Sequence, residues 1–459
     1  MPGYERSRFI IGLTAGLFAS AFMAQLPARA GGSGDCCADL DARIDELEAT
    51  TARKGNRAVS VKVTGWVNEA LFAWDDGSTS DIYIGTNTVE QSRFRFTGDA
   101  KINKDVSAGF DLELGVVGHP SNQWDQDGPA SASSNPANRE YVVIVRKSNW
   151  YLKSETFGKG AVGLNATATY HLTDDADATL TRYVDDSEGA AVFLSGFRVR
   201  INGAYVNGLK WNEMLRGFNN STPGQSGRRD VVRYDTPTIA GFSIAAAWGE
   251  DDIGDVALTY KGDIGDFLVL AKAGYGTSND PGGFKDSDDA SIAAGGTACI
   301  SGKVSTSLPN FQCNWGGAAA TAIHKPTGLF LYGGWGQQTV HTDHVFPAGT
   351  VLLPTSSMWF LQPGIEKQWL SLGKTAIFGQ YRHDEPGSNP GKTVSADITF
   401  WQGGIVQQID AAEMLLYLVY ENASGEVTGN AATVADGAPN GTSKIDPFQE
   451  VIMGAKINF

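Results

Sequence analysis

Few side chains in this sequence are spaced for covalent chemistry. The densest acidic stretch, "DDADATLTRYVDDSE", gathers Asp174, Asp175, Asp177, Asp185, Asp186 and Glu188 with the composition of a calcium loop. It lacks the D-x-D-x-D-G spacing and the terminal bidentate glutamate that close such a coordination sphere, so it reads as a solvated acidic loop. His341 and His344 in "HTDH" have no third ligand nearby, and no metal is expected there. No Ser, His and Asp stand in an arrangement that would activate a nucleophile, which argues against an enzyme, and nothing calls for a cofactor.

Positive charge is distributed by a different rule. Arg93 and Arg95 alternate with Phe94 and Phe96 in "SRFRFTG", Arg382 shares a face with Gln380 in "KTAIFGQYRHD", and Arg233 lies between Val232 and Tyr234. Alternation at period two belongs to a strand wetted on one face, and parity puts all four arginines on the wet one.

The elements that must carry these residues belong to an exported chain. Arg6 and Arg8 precede an apolar run from Phe9 to Met23 and the site "LPARAGG", the layout of a secretory signal peptide over residues 1–30. A membrane helix is the alternative, but the run is short of the roughly 20 residues a span needs. In an exported chain Cys299 and Cys313, in "CISGKVSTSLPNFQC", are expected to form a loop disulfide worth roughly 3 kcal/mol by chain entropy, with two unpaired thiols as the alternative. Cys36 and Cys37 are adjacent and cannot easily bridge each other. The 459 residues carry 36 Lys and Arg against 51 Asp and Glu, a net charge of −15, which excludes nucleic acid as a natural partner.

No later apolar stretch is long enough for a spanning helix, and the only other way across a bilayer is a closed barrel, because every backbone group must be paired inside lipid. Sixteen alternating segments fit that solution, starting near residues 61, 91, 106, 141, 160, 229, 241, 255, 266, 315, 327, 356, 374, 396, 412 and 449. Tight connections such as "NKD" and "TIAG" contrast with long polar ones at 118–139, 277–314 and 339–355, as in a barrel whose two rims face different compartments. A soluble β-sandwich would leave that asymmetry without a reason. Alternation fails in "EMLLYLVY", which is nearly all apolar, in "WVNEALFAW", and at Ile452 in the last strand "VIMGAKINF". Ahead of the strands, residues 31–57 hold Cys37, Leu40, Ile44, Leu47 and Thr51 at heptad spacing, either a short helix that pairs with copies of itself or a frayed leader.

Several stretches taken together, "DLDARIDELEATTARKGN", "YLKSETFGKGAVGLNATATYHLTDD", "NGLKWNEMLRGF", "RRDVVRYDTPTIAGFSIAAAWGEDD", "HKPTGLFLYGGWG" and the terminal Phe459, resemble the porins of alphaproteobacterial outer membranes over the whole mature chain. The resemblance implies an all-β transmembrane antiparallel barrel of about 16 strands over 58–459, a homotrimer in outer-membrane lipid, passing small hydrophilic solutes and ions. It implies that Phe459 on the closing strand is read by the outer-membrane assembly machinery. It further implies an inward-folded constriction loop at 169–228, whose acids would face Arg93, Arg95, Arg233 and Arg382 across the pore. A solute-specific channel, for sugars for example, is the alternative, since Trp66, Trp401 and Phe378 break the lumen pattern.

Overall fold

The computed structural model describes residues 59–128, 142–184, 187, 189, 193–194, 196–215, 222–249, 252–279, 312–341, 355–387, 395–429 and 439–459, all within one compact unit, Thr51–Phe459. The expected leader, the helical segment at 31–57 with Cys36 and Cys37, and Asp185, Asp186, Glu188, Cys299 and His344 lie outside the described residues.

β1 (Ser60–Asp75), β2 (Ser80–Thr86), β3 (Arg93–Lys101), β4 (Val106–Val117), β5 (Val142–Ser154) and β6 (Gly158–Ala166) precede a long connection that carries a separate hairpin, β7 (Arg198–Ile201) and β8 (Ala204–Lys210). The chain continues through β9 (Arg228–Asp235), β10 (Phe242–Gly249), β11 (Ile253–Ile264), β12 (Phe267–Ser278), β13 (Gln312–His324) and β14 (Leu329–His341). It ends with β15 (Thr355–Leu370), β16 (Gly373–Glu385), β17 (Ser395–Ile409), β18 (Met414–Gly429) and β19 (Gly441–Asn458). Neighbours pair antiparallel in chain order, β9 takes its place beside β6, and β1 closes on β19.

β1 meets β2 along its upper half, Glu69 opposite Thr86, and β3 along its lower half, Trp66 opposite Arg93. The two are halves of one stave interrupted at residues 87–92, so the sheet is a closed barrel of 16 staves. The expected starts fall on these staves, with two differences: β2 is an upper half-stave that alternation did not reveal, and β19 begins at Gly441, ahead of the expected 449. Closure is completed by reciprocal backbone bonds between Gly65 and Phe459, N to O at 2.9 and 3.0 Å, and a Cβ at Gly65 would collide with the Phe459 ring.

Outward positions are apolar and aromatic, among them Val67, Phe94, Trp150, Val232, Tyr234, Trp248, Trp335, Trp359 and Trp401, the band a barrel presents to lipid. Inward positions divide into two kinds. Along β3–β6, β9 and β12 many are charged; along β1, β2 and β16–β19 they are buried and mostly apolar, with Phe72, Trp74, Tyr83, Phe378, Phe400, Tyr417, Val419, Phe448 and Ile452 in one cluster beside buried polar groups such as Arg382 and Glu421. The departures from alternation have this cause. Leu415, Tyr417 and Val419 of "EMLLYLVY" and Ile452 point inward into protein rather than water.

What covers them is the long connection itself. Phe193, Phe197, Trp211 and Leu215 pack into the same cluster, Phe197 with ring centroids 5.0 Å from Trp74 and 4.7 Å from Phe448. Each such side chain contributes roughly 1.5–3 kcal/mol when buried, enough collectively to hold a connection of this length inside the lumen. The hairpin tip is pinned at the rim, where Asn202 and Gly203 donate backbone N–H to Asp446 at 3.1 and 2.6 Å and Arg200 pairs with Asp76 at 2.6 Å.

Candidate functional site

The connection leaves β6 and is tied to the wall residue by residue. Asp255 of β11 accepts from the backbone N–H of Ala168 and Thr169 at 3.0 and 2.8 Å. Trp315 Nε1 donates to Thr169 Oγ1, the Tyr332 hydroxyl to the Thr173 carbonyl and Thr321 Oγ1 to the Ala176 carbonyl. Farther along, Glu366 accepts from the Leu180 N–H at 2.8 Å and Asn87 donates to the Val184 carbonyl at 3.2 Å. The returning limb lies against glycines: Gly224 has φ +95°, and a Cβ on Gly336 would collide with the Pro223 carbonyl. The sequence "GGWG" in β14 is therefore a shelf for the loop.

Between loop and charged wall lies a cavity of about 410 Å³. Arg93, Arg95, Arg146, Lys147, Lys159, Arg182, Arg228, Arg233 and Lys272 line it, against Glu90, Asp111, Glu113, Asp175 and Asp235, an excess of four positive charges in a chain that is net negative. Four of the five carboxylates, Glu90, Glu113, Asp175 and Asp235, are engaged in ion pairs. Glu113, 1 % exposed, accepts from Arg93 Nη1 at 3.1 Å, Arg95 Nε at 2.9 Å and Arg146 Nε at 2.9 Å. Asp175 pairs with Arg182 and Lys272, both at 2.9 Å, and Asp235 with Arg233 at 2.7 Å. Burial opposes ionisation of Asp175, but Lys272 and Arg182 outweigh it and hold the carboxyl well below the usual range. Tyr170 behaves similarly. Burial raises its hydroxyl, yet His171, Arg228, Arg146 and Arg93 together bring it down to about 8.

The expected site residues separate into three groups. Arg93, Arg95, Arg233 and Asp175 meet at the cavity. Asp174 is fully buried within the loop against His171 at 2.7 Å, and Asp177 is buried in a turn, accepting from the Thr179 N–H at 2.8 Å and Thr181 Oγ1 at 2.6 Å, where burial pushes its carboxyl up to about 6. Arg382 points inward as parity requires, but beneath the loop, fully buried and paired with Asp384 at 2.7 Å. Trp66 is a lumen residue whose ring is covered by Arg93 and Lys456, Phe378 lies in the apolar cluster, and Trp401 faces outward, so the three form no aromatic track. Cys313 is buried and disulfide-bonded.

Sequence reading missed Arg146, Lys147, Lys159, Arg182, Arg228 and Lys272. For the first two the signal was there but misleading. The register passes from Glu113 opposite Lys147 to Leu114 opposite Val145, so Arg146 is the extra residue of a β-bulge, and the consecutive pair Arg146–Lys147 lines one cavity.

A closed sheet with an apolar outer band, a folded loop in its lumen and a charged water-facing gap is a diffusion channel of the porin class. The chain belongs to the Gram-negative porin family, whose model matches residues 12–339, and it forms a water-filled outer-membrane channel for small hydrophilic solutes and ions. Among solved structures it is similar to the anion-selective porin of Comamonas acidovorans, with 16% identity, TM-score 0.54, and 87% of this chain and 100% of that one covered. It is also similar to the outer-membrane-expressed OmpT of Vibrio cholerae (13%, 0.50, 88% and 98%) and to that protein's in-vitro folded trimer form (15%, 0.50, 88% and 100%). No curated protein matches the sequence.

Proposed function

We propose that this porin is a non-enzymatic, homotrimeric diffusion channel that prefers anions. The observation that carries the preference is the cavity wall, nine cationic side chains against five carboxylates, each of Glu90, Glu113, Asp175 and Asp235 already paired with arginine or lysine. In a narrow passage with low-dielectric walls such an excess concentrates anions and repels cations. The Comamonas acidovorans porin described as anion-selective has the same fold, and a trimer form is known for the Vibrio cholerae protein, which supports both parts of the reading.

The test is the zero-current potential of the channel in a planar bilayer separating concentrated from dilute KCl. Its sign should report chloride as the more permeant ion, and Lys159→Glu should move it toward the cation side. A parent potential of the opposite sign would refute the reading.

A pH dependence accompanies it. Because the Tyr170 hydroxyl titrates near 8, the cavity gains one negative charge as pH rises through that value, and chloride preference should decline between about pH 7 and 9. Tyr170→Phe should flatten the decline, and a variant that keeps the parental curve would remove Tyr170 as its source.

The closing strand supplies the proposed assembly signal, with Phe459 packed on Phe94 at a ring distance of 5.6 Å. Deleting Phe459 should leave synthesis intact and abolish insertion; normal amounts of trimer in the outer membrane would contradict this. Cys299 is the proposed partner of Cys313.

A further inference from the structure

Arg95, Glu113 and Lys147 occupy one row across three adjacent staves, Arg95 opposite Glu113 on β3 and β4 and Glu113 opposite Lys147 on β4 and β5. Strand spacing puts the two cations about 10 Å apart at the backbone, on either side of a carboxylate whose oxygens are both taken, one by Arg93 and Arg146 and the other by Arg95. Lys147 is different from its neighbours. Among the described residues it makes no hydrogen bond, ion pair or cation–π contact, although it lines the cavity. Arg95 uses Nε and Nη2 on Glu113, is a third exposed, and among the described residues bonds to nothing through Nη1. The bulge at Arg146 is what brings this about. Without the extra residue, Arg146 and Lys147 would alternate, and one of them would face lipid.

Building on the anion preference argued above, we propose that this row is a binding subsite for a multivalent oxyanion, one carrying two negative charges on oxygen atoms. The ammonium of Lys147 offers three donors and Arg95 the remaining edge of a planar guanidinium, a pair suited to separate oxygens of one ligand. Three guanidiniums share Glu113, and Glu90 is a second partner of Arg93 alone among the three, so one positive charge stays uncompensated before Lys147 is counted. Chloride presents one charge and no second acceptor atom, so it crosses the row, whereas an oxyanion bridging both ends is retained. Asp111, also on the cavity wall and one inward position along β4 from Glu113, is the opposing carboxylate, and it directs the ligand toward Glu113 and away from the short-turn rim.

Sulfate, whose charge is constant across the working pH range, is the probe. Chloride current through the full-length channel should fall saturably as sulfate is added at constant ionic strength. Lys147→Gln should raise the half-blocking concentration by about tenfold, the loss of one charge-assisted contact. Lys147→Arg should restore block, and Lys62→Gln, which removes the same charge at the exposed end of β1, should leave it at the parental value. Arg95→Gln at the other end of the row should act as Lys147→Gln does, so the result does not hang on one variant inserting. Current unaffected by sulfate, or a half-blocking concentration unchanged in both Lys147→Gln and Arg95→Gln, overturns the subsite. The KCl zero-current potential separates the two levels: chloride preference without sulfate block removes the subsite alone, and absence of chloride preference removes the reading beneath it.

Discussion

Replacing Phe197 by alanine is expected to turn a channel of one conductance into one that flickers between two. Phe197 is 1 % exposed, sits between Trp74, Tyr83 and Phe448, and accepts the Trp211 N–H on its carbonyl at 3.0 Å, so it joins the two limbs of the lumenal connection to the barrel wall. Truncating a phenylalanine in such a place costs about 3–5 kcal/mol. At about 1.4 kcal/mol per factor of ten, that shifts the balance of docked and undocked loop by between two and four orders of magnitude. The barrel does not depend on this contact for its hydrogen bonds, which run between neighbouring staves, so the variant should still insert. Single-channel recording gives the answer: a second, larger level with lower ion preference is the expected trace. A steady parental level would show that the rim contacts at Asp446 and Asp76 hold the loop without the aromatic cluster.

Glu113→Ala should have the largest effect on the barrel itself. One carboxylate neutralises part of the mutual repulsion of Arg93, Arg95 and Arg146, and Arg93 and Arg146 are each less than a tenth exposed. Removing a single partner from a buried ionic group costs about 3–5 kcal/mol, because the remaining charges lose their counterion and regain no water. The temperature at which the protein loses its compact gel migration should drop clearly. Glu113→Gln, which keeps shape and one acceptor, should drop it less, and whichever variant inserts should show stronger chloride preference than the parent. Equal temperatures for parent and Glu113→Ala would mean that the arginines are separated well enough by Gln91 and Glu90 alone, to which Arg146 and Arg93 also bond.

Much of this molecule is legible in its sequence because a barrel strand repeats one local rule. Side-chain direction alternates at every residue, lipid admits only apolar groups on one face, and turns need Gly, Asn or Asp, so sixteen segments, their inward and outward residues and the two kinds of rim are all encoded within about ten residues of each other. Val232 and Tyr234 outward with Arg233 inward is an example.

Parity states that a side chain points inward and is silent about what it meets there. Arg95 and Arg382 obey the same alternation, yet one lines a water-filled gap and the other is sealed under the loop against Asp384. Asp175 and Asp177 are two positions apart, and only Asp175 reaches the ions of the cavity wall, because the turn folds Asp177 back onto Thr179 and Thr181. The bulge at Arg146 inverts parity in the middle of β5, a change that becomes visible only when the register against β4 is known. Local periodicity thus determined the barrel and the face of most strand residues, those around the bulge excepted. The tertiary structure alone decided which half of the lumen is wet, since that depends on where a long connection, with a periodicity of its own, docks against strands that are far away in sequence.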